Sequence, residues 1–527
     1  MKVFKRTLAI LLVLCFIGLT LVACGKKKEE EKPSEKNTNA NNTPNVEQTQ
    51  KPTNIFGEET FETVVPVDEL DFEGEVLTVM IRDHKTLYRE WGKTSPEDEL
   101  DEAVLMRNEA IEDDLNLTME QELVPDADFG TFATNFNNMI LTDIKDQYHY
   151  YDIAANYAYC GAYTSVRDCA ANFLDEETFP FFDFTLPCWN QAIVNNTTMN
   201  GRLHYVSGDV NLTLFDCAMV MWYNKTLYDE YAEPTDPENV QLLALEGKWT
   251  YDELYRWADR LYVDSNGTPG KQGDDTYGYA SGNKGNVAPT DAFPYAWDLE
   301  FLTYNADGTH DFNIIGNDKI ETAFTMVHNL LEANGNCMSG AGVDNFTAGC
   351  YVFWPSVIYP GEGANMAIRE MDDKYGLLPM PKFDGDQENY GTTTQDFFSL
   401  MTILDHAESP VPTKGKAVSA YLQLMTEESY TSVRGYYFNR IIKPKYFGTD
   451  DSEGTVTNSI ALFDIIVANI EFEYWTIYSA QLNDVAWLWR DSFRDNKASI
   501  ESAYKEQQDA FENAIKGTDI WLGLRSE

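Results

Sequence analysis

Short apolar runs alternate with helix-like segments in the first third of the chain, and this alternation constrains the fold more than any other feature. Three runs, at residues 76–81, 117–124 and 151–155, have the length and apolar character of strands that are covered on both faces. Between them, one helix is predicted to begin with Ser95 as its N-cap, and another covers residues 132–144. This βαβαβ order predicts a doubly wound α/β lobe.

A second group of elements follows in the rest of the chain. The apolar run at residues 217–223 predicts another buried strand. Thr250, with Glu253 three residues later, has the spacing of a capping box and predicts the start of a helix. Further helices are predicted at residues 320–331 with a stop at Gly335, at 416–425 and at 500–515. The chain therefore has enough elements for a second α/β lobe.

The N-terminus has the pattern of an export signal. Lys2, Lys5 and Arg6 precede an apolar run at residues 8–21, which is shorter than the roughly 20 residues of a membrane-spanning helix. The run ends in Leu-Val-Ala-Cys-Gly, which resembles the lipobox of bacterial lipoproteins and makes Cys24 the expected site of acylation. An ordinary secretion signal with an incidental cysteine is the alternative.

The resemblance to bacterial lipoproteins implies a signal peptide at residues 1–23 and a location on the extracellular face of the cell membrane. Residues 24–55 contain the lipidated Cys24 and a polar stretch rich in Lys, Glu, Asn and Thr, which predicts a disordered tether. We therefore expect the lipid to be the chain's contact with the membrane.

Charge and cysteine content limit the possible functions. The 527 residues include 39 Lys and Arg against 86 Asp and Glu, a formal charge of −47 that argues against nucleic-acid partners. The metal-protease, hydrolase-elbow and phosphate-loop motifs are absent from the sequence. Six cysteines follow Cys24, their pairing is left open, and Cys217 is expected to be a buried free thiol because it lies in an apolar run.

Several short motifs occur together in a characteristic order. The chain is similar in these segments to the family 1 extracellular solute-binding proteins, the carbohydrate-type receptors of ABC importers that include maltose-binding proteins. The matching segments are residues 223–225, 247–254, 264–267, 275–278, 346–353 and 375–384. The resemblance covers about residues 72–520. Cys350 stands where the family usually has Lys, and extra sequence occurs near residues 160–210 and 430–460.

This resemblance implies a type II periplasmic-binding-protein fold, in which two discontinuous α/β lobes are joined by a hinge and enclose a ligand cleft. The expected first lobe is 72–214 plus 350–396, the expected second lobe is 218–348 plus 400–470, and 471–527 is expected to be a helical segment packed on both. The chain should then cross between the lobes near 213–218, 349–354 and 395–402. The implied partners are a carbohydrate and the permease of an ABC transporter with its cytoplasmic ATPase, and no cofactor is implied.

Candidate ligand contacts follow from the rule that ligands bind beyond the carboxyl ends of strands in open α/β sheets. Flat aromatic rings suit the C–H faces of a sugar, whereas carboxylate, amide and guanidinium groups suit its hydroxyls. The strand-end rule selects Arg82, Asp83, His84, Asn156, Tyr157 and Trp354. Tyr295 and Trp297 are added from a Pro-containing loop of the expected second lobe, and Gln395 and Asp396 from the expected third crossing. The resemblance to the receptor family implies a further aromatic contact late in the chain, at Trp475.

One spacing resembles a calcium loop. Asp264, Asn266 and Asp275 occupy positions 1, 3 and 12 of an EF-hand pattern, but Pro269 stands at the sixth position, where that loop needs Gly. We therefore predict no metal and interpret the segment as a polar turn.

Two classes of function remain open at this point. A binding protein without catalytic activity is favoured, with a carbohydrate, most simply an oligosaccharide, as its ligand, and with peptides or other solutes as alternatives. The second class is a surface lipoprotein that hydrolyses glycosides, which uses a pair of carboxyl groups.

Overall fold

The computed structural model describes residues 60–526 except 93–94, 126–128, 159–168, 282–287, 334–341, 360–361, 406–413 and 448–452. The predictions for Cys24, the signal peptide and most of the tether therefore lie outside the described residues. Two sheets organise the described chain, one of four strands and one of five, with a separate two-stranded hairpin. The strands are β1 Glu75–Arg82, β2 Leu117–Val124, β3 Ile153–Tyr157, β4 Met219–Asn224, β5 Tyr262–Val263, β6 Thr276–Tyr279, β7 Leu302–Tyr304, β8 His310–Phe312, β9 Tyr351–Val357, β10 Tyr375–Leu378 and β11 Ser399–Ile403.

The first sheet has the order β11-β3-β1-β2 and defines what we call the first lobe. Strand β1 pairs in parallel with both β2 and β3, as the βαβαβ pattern predicts, whereas β11 is antiparallel to β3. Leu77, Val79 and Ile81 belong to one apolar cluster and Met80 to another, and all four are fully buried. Burial on both faces explains why this strand has an almost uninterrupted apolar sequence.

The helix that the sequence predicts with Ser95 as its N-cap begins later than expected. It covers Glu99–Leu115, and its N-cap is Asp98 rather than Ser95. The Asp98 carboxylate accepts hydrogen bonds from the backbone N–H groups of Leu100 and Asp101, each at 3.0 Å, so it satisfies two donors that the helix itself leaves unpaired.

The second sheet has the order β10-β4-β9-β6-β5 and defines the second lobe. Its strand β4 is buried over its whole length and corresponds to the predicted strand at 217–223. Thr250 does stand at the N-cap of a helix, Tyr251–Arg260, but its side chain makes no capping hydrogen bond.

The expected division of the chain between the lobes is wrong in part. Strands β9 and β10, assigned to the first lobe as part of 350–396, pair with β4 in the second sheet. Strand β11, expected in the second lobe as part of 400–470, pairs with β3 in the first sheet. All these strands are apolar and largely buried, so their sequences suit either sheet, and only the tertiary pairing selects one.

Two extended segments connect the lobes side by side. Cys217 accepts a hydrogen bond from the backbone N–H of Gln395 at 2.8 Å, and Ala218 forms an antiparallel bridge with Thr394. The chain thus leaves the first lobe just before β4 and returns just before β11, close to the crossings expected at 213–218 and 395–402. The crossing expected at 349–354 does not occur, because β9 stays in the second sheet.

The chain reaches the second lobe again through a long helical stretch. Lys414–Glu428 packs on Glu99–Leu115 in the first lobe, and Thr455–Ala468 packs on β10 in the second. Between them lie two π-helical segments, Ser429–Val433 and Tyr437–Ile442, a conformation that occurs mostly in short pieces near functional sites.

The remaining helices surround the sheets and form the C-terminal segment. The predicted helix at 500–515 is two helices, because the chain breaks its regular pattern at Gln507. The α-helices not yet given are Lys85–Glu90, Phe129–Lys145, Gln191–Thr197, Thr213–Asp216, Lys225–Tyr231, Val240–Leu245, Ala292–Ala296, Asp318–Glu332, Val343–Thr347, Glu362–Glu370, Arg434–Tyr436, Lys443–Tyr446, Tyr474–Ile477, Val485–Arg494, Ile500–Lys505 and Gln508–Trp521.

Cys217 is buried and forms no disulfide, as predicted. Cys188 and Cys350 are likewise buried free thiols, and Cys169 is also buried. Cys160 and Cys337 lie outside the described residues. Within the described part of the chain, no helix combines the length and the apolar character needed to cross a membrane.

Candidate functional site

A cavity of about 390 Å³ lies beside the two crossing segments and is lined by both lobes. Ala158 and Phe398 contribute from the first lobe, Met219 and Trp354 contribute from the second, and the crossing at Thr393–Asp396 lies between them. The C-terminal segment closes the cavity with Phe472, Trp475, Thr476, Ile477, Ala486, Trp487, Trp489 and Arg490. The volume falls in the range of small-molecule sites in proteins.

Aromatic rings form the walls of this cavity. Trp475 stacks on Tyr295 with ring centroids 5.4 Å apart and an interplanar angle of 25°. Trp354 stacks in the same manner on Phe346, with centroids 5.4 Å apart. Trp354 and Trp475 are therefore each packed against a second ring, which restricts their orientation.

Three charged side chains line the same cavity. The Arg490 guanidinium forms an ion pair with the Asp291 carboxylate, and Asp396 lies close enough to influence both groups electrostatically. Burial raises the pKa of Asp291 to about 7, although the charge of Arg490 opposes this change and Asp396 adds to it. Burial also raises the pKa of Asp396, again against the effect of Arg490.

Several polar atoms at the cavity are buried and have no hydrogen-bond partner among the described residues. They are the hydroxyls of Ser281 and Thr394, the indole N–H of Trp475, one carboxylate oxygen of Asp291 and the Nε of Arg490. Buried polar groups are normally paired, because an unpaired group loses its bond to water and gains none in return. A group of such donors and acceptors around one cavity is suited to a ligand that carries hydroxyls.

Five of the residues predicted from the sequence line the cavity. They are Tyr295, Trp354, Gln395, Asp396 and Trp475. The prediction for Trp297 is wrong: its side chain is fully buried, its indole N–H donates to the carbonyl of Pro381 at 3.0 Å, and its ring packs on Phe293. It is a core residue of the second lobe.

Other predicted residues form a cluster next to the cavity without lining it. The Arg82 guanidinium lies 5.3 Å from the ring centres of both Tyr157 and Phe397, and His84 meets Phe397 edge-on at 4.9 Å. The hydroxyl of Tyr157 donates to Asp396 at 3.2 Å. The cluster therefore holds the cavity carboxylate in position from the first-lobe side.

Asp83 and Asn156 also lie outside the cavity lining. Asp83 is exposed after the end of β1. Asn156 is 1% exposed, and neither atom of its side-chain amide has a hydrogen-bond partner in the described chain. It lies near the end of β3, two residues before Ala158, which lines the cavity.

Sequence reasoning missed three residues that matter at the cavity. Trp487 and Arg490 lie one helical turn apart in Val485–Arg494, and this spacing of an aromatic and a cation was a usable signal. Asp291 could not be recognised from the sequence, because it is one of 86 acidic residues and its ion-pair partner Arg490 lies 199 residues away.

The calcium-like spacing forms a polar turn. Asp264 accepts hydrogen bonds from the backbone N–H groups of Asn266 and Gly267, and Asn266 accepts one from Thr268. The fully buried carboxylate of Asp275 accepts hydrogen bonds from the backbone N–H groups of Ser265 and Gln272 and from the Tyr262 hydroxyl. The interpretation as a turn accounts for these contacts. Among the described residues, no group of three or more His, Cys, Asp or Glu side chains is arranged to hold a metal ion.

Comparison with known proteins identifies the fold. No family model and no curated protein sequence matches the chain. A solved cyclic α-maltosyl-1,6-maltose binding protein from Arthrobacter globiformis aligns with a TM-score of 0.51 and 14% identity, covering 84% of this chain and 99% of its own. A cyclo/maltodextrin-binding protein, solved with maltotetraose, aligns with a TM-score of 0.50 and 12% identity, covering 84% of this chain and 98% of its own. The chain therefore has the two-lobed fold of type II periplasmic binding proteins, as the sequence motifs predict.

Proposed function

We propose that the chain is a lipid-anchored receptor that captures a carbohydrate, most simply an oligosaccharide, in the interlobe cavity and delivers it to the permease of an ABC transporter. Cys24 carries the lipid, and the body is held at the extracellular face of the cell membrane. The receptor binds its ligand reversibly and does not change it chemically.

The composition of the cavity carries this proposal. Tyr295, Trp354 and Trp475 line the cavity with flat apolar rings, which suit the C–H faces of a pyranose ring. The ion pair of Arg490 with Asp291 supplies donors and acceptors to the same space. A neutral ligand with both apolar faces and hydroxyls satisfies both sets of groups at once.

The position of the cavity gives the mechanism of capture. A ligand that contacts Phe398 of the first lobe and Trp354 of the second binds best when both are close, so it favours the closed form of the hinge. The two crossing segments, which run side by side, are the elements that absorb a rotation of one lobe against the other. Closure is then the signal that a permease recognises.

The shared fold supports carbohydrate as the class of ligand, because the two solved proteins with this fold are named for the maltose-type sugars that they bind. The chain also shares the ordered motifs that resemble carbohydrate receptors. No particular sugar follows from a shared fold.

A thermal-shift screen of the full-length protein tests the proposal. The panel contains neutral mono- and oligosaccharides and a peptide pool, and each saccharide is analysed afterwards by chromatography. A ligand that binds only the folded state raises the unfolding temperature. At a ligand concentration of 100 times the dissociation constant, the free energy of unfolding increases by about 2.7 kcal/mol.

We expect a shift with one class of saccharide and recovery of that saccharide unchanged. Trp475→Ala should abolish the shift, whereas Tyr304→Ala, which removes a tyrosine that is 49% exposed and does not line the cavity, should preserve it. A shift with peptides alone would mean that the receptor binds peptides rather than carbohydrate. Consumption of the saccharide would contradict the receptor function and favour a glycoside hydrolase.

A further inference from the structure

A second groove with aromatic walls lies on the first lobe and shares no lining residue with the interlobe cavity. It has a volume of about 520 Å³ and runs beside the helix Phe129–Lys145. One end is formed by the loop that joins this helix to β3, and the other reaches the end of β2 at Val124. The fold does not require a groove here, and the proposed receptor function does not use it.

The loop displays two tyrosines to solvent. Tyr148 and Tyr150 are 53% and 62% exposed, although a tyrosine ring is a large apolar surface. Their rings stack on each other with centroids 5.3 Å apart and an interplanar angle of 24°. They form a flat platform at the mouth of the groove, and Tyr151 lies edge-on to it.

The backbone is held in an unfavourable conformation that produces this display. Gln147 and His149, which alternate with the two tyrosines, both have φ values of 55°, in the left-handed region that residues other than glycine rarely adopt. The buried Asp143 fixes the loop: its carboxylate accepts hydrogen bonds from the backbone N–H groups of Tyr150 and Tyr151 at 3.0 and 3.3 Å. These two hydrogen bonds constrain the backbone of the loop that carries the platform.

The helix contributes a polar wall opposite the platform. Asn135, Asn138, Met139 and Thr142 line the groove at spacings of three, one and three residues, which places them on one face of the helix. Asn135, Asn138 and Thr142 are exposed. Side-chain amides and a hydroxyl thus face the space that the tyrosine rings border.

The charge of the groove selects the type of ligand. Among its described lining residues only Asp143 is ionisable at neutral pH, and that carboxylate is 1% exposed and accepts the two hydrogen bonds from the loop. No lysine or arginine is among the described residues that line the groove, and the chain as a whole carries a charge of −47, so an anionic polymer or membrane surface is repelled. Stacked rings with amides and no free charge suit a neutral glycan chain.

We propose that the groove of Tyr148, Tyr150 and the facing side of Phe129–Lys145 is a second binding site, which holds a neutral polysaccharide on the surface of the first lobe. This inference does not depend on the ligand of the interlobe cavity. Such a site holds the protein close to a polysaccharide. The local concentration of oligosaccharides released from that polymer is then higher near the protein.

Native gel electrophoresis in gels that contain a neutral polysaccharide tests the site. The probes are soluble starch, a mixed-linkage β-glucan and a galactomannan, each cast in the gel over a range of concentrations. The full-length protein in mild detergent is compared with Tyr148→Ala/Tyr150→Ala, with Tyr148→Phe/Tyr150→Phe and with two controls. Tyr304→Ala removes a tyrosine of similar exposure elsewhere, and Trp475→Ala disables the interlobe cavity.

We expect at least one polysaccharide to retard the wild-type protein, and the double alanine variant to bind it at least about tenfold more weakly because two stacking faces are lost. The double phenylalanine variant keeps the rings and should retain the retardation, as should Tyr304→Ala and Trp475→Ala. Asn138→Ala, an exposed helix substitution that leaves the loop untouched, should weaken binding severalfold and serves if the double alanine variant does not fold.

Three results would overturn the second site. They are no retardation of the wild-type protein by any of the polysaccharides, equal retardation of the wild-type and double alanine proteins, and loss of retardation in Trp475→Ala. The third result would mean that the polymer binds at the interlobe cavity, which refutes the surface site but leaves the proposed receptor function intact.

Discussion

Asp291 connects the electrostatics of the cavity to a measurable pH dependence. Its pKa, raised to about 7 by burial, means that the carboxyl gains its charge near neutral pH, in a space that it shares with Arg490, Asp396 and the neighbouring Asp491. A sugar hydroxyl that donates to the carboxylate stabilises the charged form. We therefore expect affinity for the ligand to rise severalfold, about three- to tenfold, between pH 6 and pH 8.

The matched variant is Asp291→Asn, which keeps the shape of the side chain and removes its titration. Titrations at pH 6, 7 and 8 should show a flat affinity for this variant over the range in which the wild-type affinity rises. Identical pH profiles for the two proteins would show that Asp291 does not bind the ligand through its charge.

Residue identity in the cavity was only partly readable from the sequence. Trp354 and Trp475 were identified because aromatic residues near strand ends and late in the chain suit sugar contact, and both line the cavity. Trp297 looked equivalent in sequence, yet a hydrogen bond to Pro381 and contacts in the second lobe make it part of the core. When a tryptophan lies in a short helix or a loop, the sequence does not show whether its side chain points into the core or toward the cavity.

At the scale of elements, the region just before the first crossing contains a buried carboxyl that links the first lobe to the hinge. Glu90, at the end of the helix Lys85–Glu90, is 1% exposed, and it accepts hydrogen bonds from the backbone N–H and the hydroxyl of Thr213 at 2.5 and 2.6 Å. Burial raises its pKa to about 8 and the charge of Asp216 adds to this, whereas Thr213 and Arg107 oppose it. Burial also raises the pKa of Asp216 to about 7.

These values predict how stability changes with pH. The pKa of Glu90 is about 8 in the folded protein and near 4.5 in the unfolded chain, so the folded protein holds this proton more tightly. The stability that the bound proton contributes is therefore complete at acidic pH and is lost as the pH rises toward 8. Glu90→Gln stays neutral and can still accept from Thr213. It should be more stable than the wild type at pH 9, by about 1–3 kcal/mol, and nearly equal at pH 5.

Urea unfolding at both pH values measures this difference. A variant that is less stable than the wild type at pH 9, or a difference that does not change between pH 5 and pH 9, would contradict the assignment. Thr213→Val is a useful comparison, because it removes the hydroxyl donor to Glu90 without changing the number of ionisable groups.

The elements of the first lobe were predicted well because their signals are local. Strand β2 has the predicted bounds, and the helix at 132–144 lies inside the observed Phe129–Lys145. The lobe to which β9, β10 and β11 belong was predicted wrongly, since the pairing of buried strands depends on contacts between distant segments. The π-helical segments Ser429–Val433 and Tyr437–Ile442, in the helical stretch that leads back to the second lobe, had no sequence signal that we could use.

At the scale of the whole molecule, the proposal depends on anchoring as well as binding. Replacement of Cys24 by Ala removes the residue that receives the lipid and leaves residues 60–526 unchanged. We expect the variant to leave the membrane fraction and to lose incorporation of a labelled fatty acid, while its ligand affinity stays within about twofold of the wild type because the cavity is untouched. Membrane attachment that persists in the variant would contradict lipidation at this cysteine.

The two-lobed architecture was predictable from a combination of weak signals. No single motif defines it, but the order of the segments from Tyr223 to Asp384 resembles that of a receptor family with two lobes, and the observed fold agrees with the two-lobed architecture. The cavity itself was not predictable, because it is assembled from both lobes, the crossings and the C-terminal helices, and its shape depends on how these pack.

Titration calorimetry of the full-length protein with neutral oligosaccharides tests the central claim most directly, namely that the interlobe cavity binds carbohydrate. The account predicts a saturable site with one ligand per chain for one saccharide class, and an affinity at least about 100-fold lower in Trp354→Ala/Trp475→Ala, whose two substitutions remove the stacking surfaces. The absence of saturable binding to every oligosaccharide, or an unchanged affinity in the double variant with its fold intact, would contradict it.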